Sequence, residues 1–253
     1  MEIDLNCDLG ESYGNFKVGN DEAVFPFLSS CNIACGAHGG DPLTIEKTVQ
    51  LAKKYNVQVG AHPSYPDLEG FGRRKMTLFA AELSAQVKTQ IAVIDGLCRS
   101  YGIELKYVKA HGALYNHLNQ NAADAQVFTK AISEYNDKLS IMGLPNSTLH
   151  QAAKHQKVAY IREGFIDRLY QTDGSLSPRS EKGAVFDSID QMIEQFKSIV
   201  IKKSVKTSEG NHIDIEVDSL CIHGDNPKIT NLMIQLTEVI KLENITIRKS
   251  RTS

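Results

Sequence analysis

Val108-Lys-Ala-His-Gly-Ala-Leu-Tyr-Asn116, in the middle of the chain, is the stretch whose reading decides the fold. Leu105-Lys-Tyr-Val108 leads into it as a β-like run. Successive side chains of a strand point to opposite faces, so Lys109 and His111 should share one face, a cation beside a base. Gly112 then lets the backbone turn where a side chain would obstruct it. This ending recurs: Ala37-His38-Gly39, Ala61-His62-Pro63, Ala110-His111-Gly112 and Ile222-His223-Gly224 each close an apolar run, using four of the eight histidines. One such histidine commonly caps a strand or satisfies a core hydrogen bond. Four in the same local setting point to several strands delivering imidazoles to a common edge.

Toward the N-terminus, Ile3, Leu5, Cys7 and Leu9 alternate with Glu2, Asp4, Asn6 and Asp8, a first strand with one unusually polar face. In a barrel that face would fill the mouth while the apolar face meets helices. Gly10-Glu-Ser-Tyr-Gly14 reads as a loop, with Asp8 and Glu11 as acidic candidates. Residues 28–35 form a second strand, and Asp41-Pro42 starts a helix with Asp as N-cap and Pro at the first helical position. That helix offers Leu43, Val49, Leu51 and Ala52 to a core. The Gly-rich turn before it has converging N–H groups but matches neither the P-loop nor the dinucleotide fingerprint. Residues 57–62 form a third strand, followed by a shaped loop through Arg74 in which Arg73 and Arg74 can clamp carboxylate or phosphate. Leu83, Val87, Ile91, Ile94 and Leu97 then mark a helix over 78–101 that stops at Gly102.

Beyond the opening stretch come a helix over 121–135, a strand over 139–144, a helix to about 155 and a strand over 158–161. Arg162-Glu-Gly-Phe-Ile-Asp-Arg168 reads as a charged strand-end loop, with Glu163 and Asp167 as further carboxylates. Residues 169–183 lack periodicity, carry Arg179 and suit a lid. A helix over 189–202 and a polar connection over 204–211 precede the last strand, 219–222. His223-Gly-Asp-Asn-Pro227 echoes residues 38–42 and starts a final helix. About seven strand-then-helix units, with no shift in composition, predict an α/β fold: one seven-stranded, irregular (β/α) barrel over residues 1–253. A doubly wound sheet gathers its site at one switch point and accommodates separate histidine-bearing strand ends less well.

The length of 253 residues suits one such barrel. Lys plus Arg number 28 against 30 for Asp plus Glu, a net charge of −2 mixed along the chain, which argues against a nucleic-acid partner. The chain has no 18-residue apolar run, and its start carries acid where a signal peptide carries base. The expectation is a soluble, cytoplasmic protein with no membrane partner. Five cysteines, an odd number set mostly in apolar runs, read as reduced core thiols. Cys31-x3-Cys35-x2-His38 lacks a second pair at zinc spacing, so a structural zinc is not expected there.

A mouth collecting Asp8, His38, His62, Lys109, His111, Glu163, Arg179, His223 and Asp225 permits two chemistries. An acid with two histidines can hold a divalent metal that activates water for amide or ester hydrolysis. Alternatively, His–carboxylate pairs move protons while Lys109 and the arginines neutralise an oxyanion or phosphate. Spacing alone leaves both open.

Asp4-Leu-Asn-Cys-Asp-Leu-Gly-Glu11, Asn32-Ile-Ala-Cys-Gly-Ala-His-Gly-Gly-Asp-Pro42, Val59-Gly-Ala-His-Pro-Ser-Tyr-Pro-Asp-Leu-Glu-Gly-Phe-Gly-Arg-Arg74, residues 108–116, Arg162 to Tyr170 and His223-Gly-Asp-Asn-Pro227 together resemble the LamB/YcsF family, in order and over almost the whole chain. The chain departs from the family at Ala37, Gly39 and Ala110, where Phe, Ala and Pro are usual, positions that touch pocket walls more than reacting groups. The resemblance implies a barrel similar to the glycoside hydrolase/deacetylase superfamily. It also implies an ATP-dependent hydrolase of a cyclic amide that opens 5-oxoproline to L-glutamate in a complex with 5-oxoprolinase subunits B and C. Within that scheme Lys109, helped by Arg179, meets oxyanion and phosphate charge, and His111 and His223, oriented by Asp225 or Glu163, move protons. Asp8, His38 and His62 hold a divalent metal or orient water, and Asp8, Glu11, His38, Arg73, Arg74, Asp167 and Arg179 contact substrate or phosphate. Lys109→Met is expected to abolish turnover while leaving the fold intact. A metal-dependent amidohydrolase or deacetylase that does not use ATP, and a non-catalytic small-molecule-binding subunit, stay open as alternatives. The absence of a Walker-type loop fits either of these and also fits nucleotide contacts made by partner subunits.

Overall fold

The computed structural model describes residues 1–224 and 228–250. Its centre is a closed ring of parallel strands: β1 (Glu2–Leu9), β2 (Ser30–Ala34), β3 (Gln58–His62), β4 (Leu105–Lys109), β5 (Ser140–Gly143) and β6 (Tyr160–Phe165) pair in sequence order. A short antiparallel ribbon, β7 (Ser204–Lys206) with β8 (His212–Asp214), interrupts the order; it begins in the polar connection expected over 204–211 and continues beyond it. β9 (Ser219–His223) then lies between β6 and β1, pairing with both and closing the seven-stranded barrel. The short strand β10 (Thr246–Ile247) adds to the start of β1 from outside. The predicted barrel is therefore present, with helices around it.

The alternation of β1 shows how the sequence builds two environments. Ile3, Leu5, Cys7 and Leu9 belong to the apolar layer between barrel and helices, whereas Asp4, Asn6 and Asp8 face inward and are buried there. Asn6 accepts from Asn32, which also donates to Asp8, and the Tyr107 hydroxyl donates to Asn32 from across the barrel. Tyr107, Met142 and Ile161 form a separate small apolar cluster on the opposite wall of the interior. Most of the hydrophobic stabilisation comes from the outer layer. In the helix Ile189–Val200, Met192, Phe196, Ile199 and Val200 turn one buried face inward, each large side chain contributing about 1.5–3 kcal/mol on full burial.

Two local expectations change. In the helix Pro42–Lys54, Asp41 caps Thr44 N at 3.0 Å as predicted, but the buried face is Ile45, Thr48, Val49 and Ala52. Leu43 is exposed because it sits two residues from Ile45, on the far side of a 3.6-residue turn. The strand expected to stop at 161 runs to Phe165, since the charge of Glu163 points into the barrel rather than ending the strand. The helix Gly112–Leu118, which begins directly behind β4, was not read from the sequence.

Candidate functional site at the barrel mouth

All the strand C-termini open on one face, and a cavity of ≈ 50 Å³ lies among them. Its walls include Asp8, Glu11, His62, Arg73, Lys109, His111, Tyr115, Phe165, Arg168, Arg179 and His223. Lys109 ends β4 pointing inward and is only 2% exposed. Its Nζ donates to Asp8 Oδ1 at 2.8 Å and stands 2.7 Å from Glu163 Oε1, 3.1 Å from Cys221 Sγ and 5.4 Å from the centre of the Phe165 ring. Burial pulls the ammonium down, but Asp8 and Glu163 outweigh it and hold Lys109 well above its ordinary value. Asp8 responds in kind: burial pushes its carboxyl up, while His62 and Lys109 hold it well below the usual carboxylate range. Tyr115 donates to Glu163 Oε2 at 3.0 Å and fixes that side chain from the helix behind His111.

The histidines form a second cluster. His62 Nδ1 lies 2.8 Å from the Lys109 carbonyl, and His111 Nε2 lies 2.9 Å from the Phe71 carbonyl. The remaining nitrogens, His62 Nε2 and His111 Nδ1, meet at 3.0 Å. His38 stacks on His111 with ring centres 3.7 Å apart, and Glu11 Oε1 stands 3.2 Å from His38 Nε2 and 3.3 Å from His111 Nδ1. Burial first, then neighbouring histidines, pushes both His38 and His111 well below the ordinary imidazole range, so these rings are neutral near pH 7. Two glycines allow this crowding. Gly112 turns at φ +57, and a Cβ there would stand 2.6 Å from Gly72 O, where the loop carrying Phe71 closes on the helix. A Cβ on Gly39 would stand 2.5 Å from Glu11 O, so glycine rather than alanine lets Glu11 approach His38 this closely.

His223 forms a third unit. Its Nδ1 lies 2.6 Å from Asp167 Oδ2, and the ring stacks on Phe165. Burial pushes the Asp167 carboxyl up, but His223, with Arg179 and Arg168, holds it below its ordinary value. The orienting carboxylate of His223 is therefore Asp167 rather than Glu163, which is engaged by Lys109 and Tyr115. Asp225, the other expected partner, lies outside the described residues. Arg168 is buried, donates to the carbonyls of Ala184 and Ser177, and is lowered to about 10 by burial and by Arg179. It anchors the irregular strap after β6 from beneath, in the region expected to behave as a lid.

Of the residues singled out from sequence, Asp8, Glu11, His38, His62, Lys109, His111, Glu163, Asp167 and His223 are gathered at this mouth, and Arg73 and Arg179 line its cavity. Arg74 does not join them: its guanidinium pairs with Asp67 and Glu69 and ties the loop to itself. Cys31 and Cys35 are buried free thiols of the core. Tyr115 and Arg168 were missed. Tyr115 stands four residues after His111, one turn along the unread helix, and Arg168 was present in the charged run but was not distinguished from its neighbours.

Similarity to known proteins extends over almost the whole chain. The sequence model of the LamB/YcsF family matches residues 3–253. The 5-oxoprolinase A subunit of Pyrococcus furiosus is 41% identical over 247 residues, covering 98% of this chain and 97% of that protein. Its counterpart of the same name in Bordetella pertussis is 47% identical over 225 residues, 89% of each. The crystal structure of the lactam utilization protein from Thermus thermophilus superposes with a TM-score of 0.92 at 35% identity, covering 98% of this chain and 99% of that one. The chain belongs to the LamB/YcsF family.

Proposed function

We propose that the chain is the A subunit of an ATP-dependent 5-oxoprolinase, converting 5-oxo-L-proline, ATP and two waters to L-glutamate, ADP and phosphate together with subunits B and C. The names of full-length relatives support the role, and the observation that carries it within the site is the Lys109 ammonium buried between Asp8 and Glu163 at the wall of a cavity that Arg73 and Arg179 also line. A five-membered lactam is a resonance-stabilised amide, so water adds only when its oxygen becomes a better electron sink. Transfer of the γ-phosphoryl group to that oxygen, with ADP leaving, achieves this. Water then adds at the ring carbon, the C–N bond breaks with a proton delivered to nitrogen to leave γ-glutamyl phosphate, and the second water cleaves this acyl phosphate to L-glutamate and phosphate. Lys109 and Arg179 answer the oxygen and phosphate charge, while His223 held by Asp167, and His111, are placed to move protons.

The cavity is narrow, at ≈ 50 Å³, and movement of a wall would widen it for a lactam. The strap carrying Leu176 and Arg179 is the wall without regular structure. Glutamate release from 5-oxoproline by the purified chain, with and without ATP and with and without subunits B and C, tests the reading. Release should require ATP and all three subunits; ATP-independent release, or release by this chain alone, would sink it. ATP-independent release that stops with EDTA would instead establish the metal-dependent amidohydrolase, a reading favoured by the cluster of Glu11, His38, His62 and His111.

A further inference from the structure

We propose that Glu11, His38, His62 and His111 form a transition-metal site of the Zn²⁺ type. The positions of the ring protons carry the argument. A backbone carbonyl only accepts, so His62 Nδ1, 2.8 Å from Lys109 O, and His111 Nε2, 2.9 Å from Phe71 O, must each bear a proton. A neutral imidazole has one N–H, which leaves bare lone pairs on His62 Nε2 and His111 Nδ1, and these face each other at 3.0 Å. Around them, Glu11 Oε1 lies 3.3 Å from His111 Nδ1, and Asp8 Oδ2 lies 3.4 Å from His62 Nε2. The two ring lone pairs thus face each other with a carboxylate oxygen beside each, an arrangement that repels unless a positive charge sits between the rings.

The spacing selects the kind of charge. Around a four-coordinate Zn²⁺ with bonds of 2.0–2.1 Å, neighbouring donor atoms stand about 3.3 Å apart. The separations here are 3.0 Å for His62–His111, 3.2 Å for His38–Glu11 and 3.3 Å for His111–Glu11. One donor atom from each of the four residues lies within 4.8 Å of all the others. Three imidazoles and one carboxylate suit a first-row transition ion, whereas Mg²⁺ and Ca²⁺ select oxygen donors. The outer partners are also in place, since metal-bound histidines usually give their far N–H to a carbonyl or carboxylate, as His62 and His111 do.

The set differs from the Asp8, His38 and His62 expected from sequence. Asp8 Oδ1 is taken by Lys109 and Asn32, which leaves Asp8 as an anion beside the site rather than a ligand. Asp8, Cys221 and His223 also converge, but the Lys109 ammonium already sits against Asp8 and Cys221 and supplies the cation there. The proposal does not rest on the 5-oxoprolinase reading, because it is tested on this chain alone with no lactam, nucleotide or partner.

The full chain, stripped with chelator, would be titrated with ZnCl₂ by calorimetry and with CoCl₂ by visible absorption. One ion per chain is expected, with Co²⁺ giving the intense bands of a four-coordinate site that Zn²⁺ bleaches. Glu11→Gln and His62→Asn should each weaken Zn²⁺ binding about 100-fold or more, beyond the 10–100-fold typical of outer partners, while His155→Asn, on an exposed helix surface, leaves it unchanged. Should those site variants fail to fold by circular dichroism, ¹⁵N-histidine spectra of the unaltered chain decide. Zn²⁺ must shift His62 Nε2 and His111 Nδ1 and spare His155. Absence of one-to-one binding, full-strength binding in both folded variants, or unmoved His62 and His111 signals would overturn the site in favour of a proton shared by the two rings.

Discussion

Asp4 and Asp8 lie on the same face of β1, two alternations apart and both buried, yet the base and the mouth of the barrel treat them in opposite ways. At the base Asp4 receives hydroxyls, from Ser29 at 2.6 Å, Ser30 at 2.7 Å and Ser219, and among the described residues no cation pairs with it. Burial dominates and raises its carboxyl above the ordinary value. At the mouth Asp8 meets Lys109 and His62 and is held well below that value. Neutral donors satisfy a carboxylate's geometry without repaying the loss of water, whereas a buried cation does both. The base is built to be filled. The mouth is built to keep charge.

The strongest way to break this contrast is Lys109→Met. It leaves Asp8 and Glu163 facing each other without their cation, and removing one partner from a buried charge cluster costs about 3–5 kcal/mol. Turnover of the assembled enzyme should vanish, and urea melts should show the stability loss. The fold would not be indifferent to this substitution, contrary to the expectation from sequence, because Lys109 holds the interior together as well as facing the cavity. An unchanged melt would mean that the two carboxyls do not depend on the lysine.

Asp4→Asn should act in the other direction. Because the folded carboxyl is raised above 3.8, its protonated form supports the fold at acid pH, and that support is lost as pH rises through the folded value. At pH 7 the variant should therefore melt a few degrees higher than the parent, with the gap closing below about pH 4. A lower melting temperature at pH 7 would show that the serine hydroxyls stabilise the ionised form after all.

The smallest effect is expected at the outer edge of the base, where Arg162 grips Asp218 through two nitrogens at 2.8 and 2.9 Å. Burial raises the Asp218 carboxyl, but hydrogen bonds from Arg162 outweigh it and hold it below 3.8. That stability is present above the unfolded value and fades as pH falls through the folded one. Both side chains are about one-third exposed, so screening limits the pair to roughly 1 kcal/mol. Arg162→Met should lose that amount at pH 7 and close to nothing at pH 2, read from denaturant midpoints.

Much of this molecule was written locally. The alternation of residues 2–9 announced a strand with a polar inner face, Asp41-Pro42 announced a capped helix, and histidines at or just beyond the strand ends announced the mouth. Each of these signals depends on backbone period and turn chemistry within a few residues. Closure of the barrel decided the rest. It set Lys109 against Asp8, a hundred and one residues away in sequence, gave His223 to Asp167, left Arg74 with Asp67, and turned the free nitrogens of His62 and His111 toward each other. Local period fixes which face a side chain takes. Which partner it finds across the interior depends on how distant strands are staggered when the ring closes, and no short stretch of sequence contains that information.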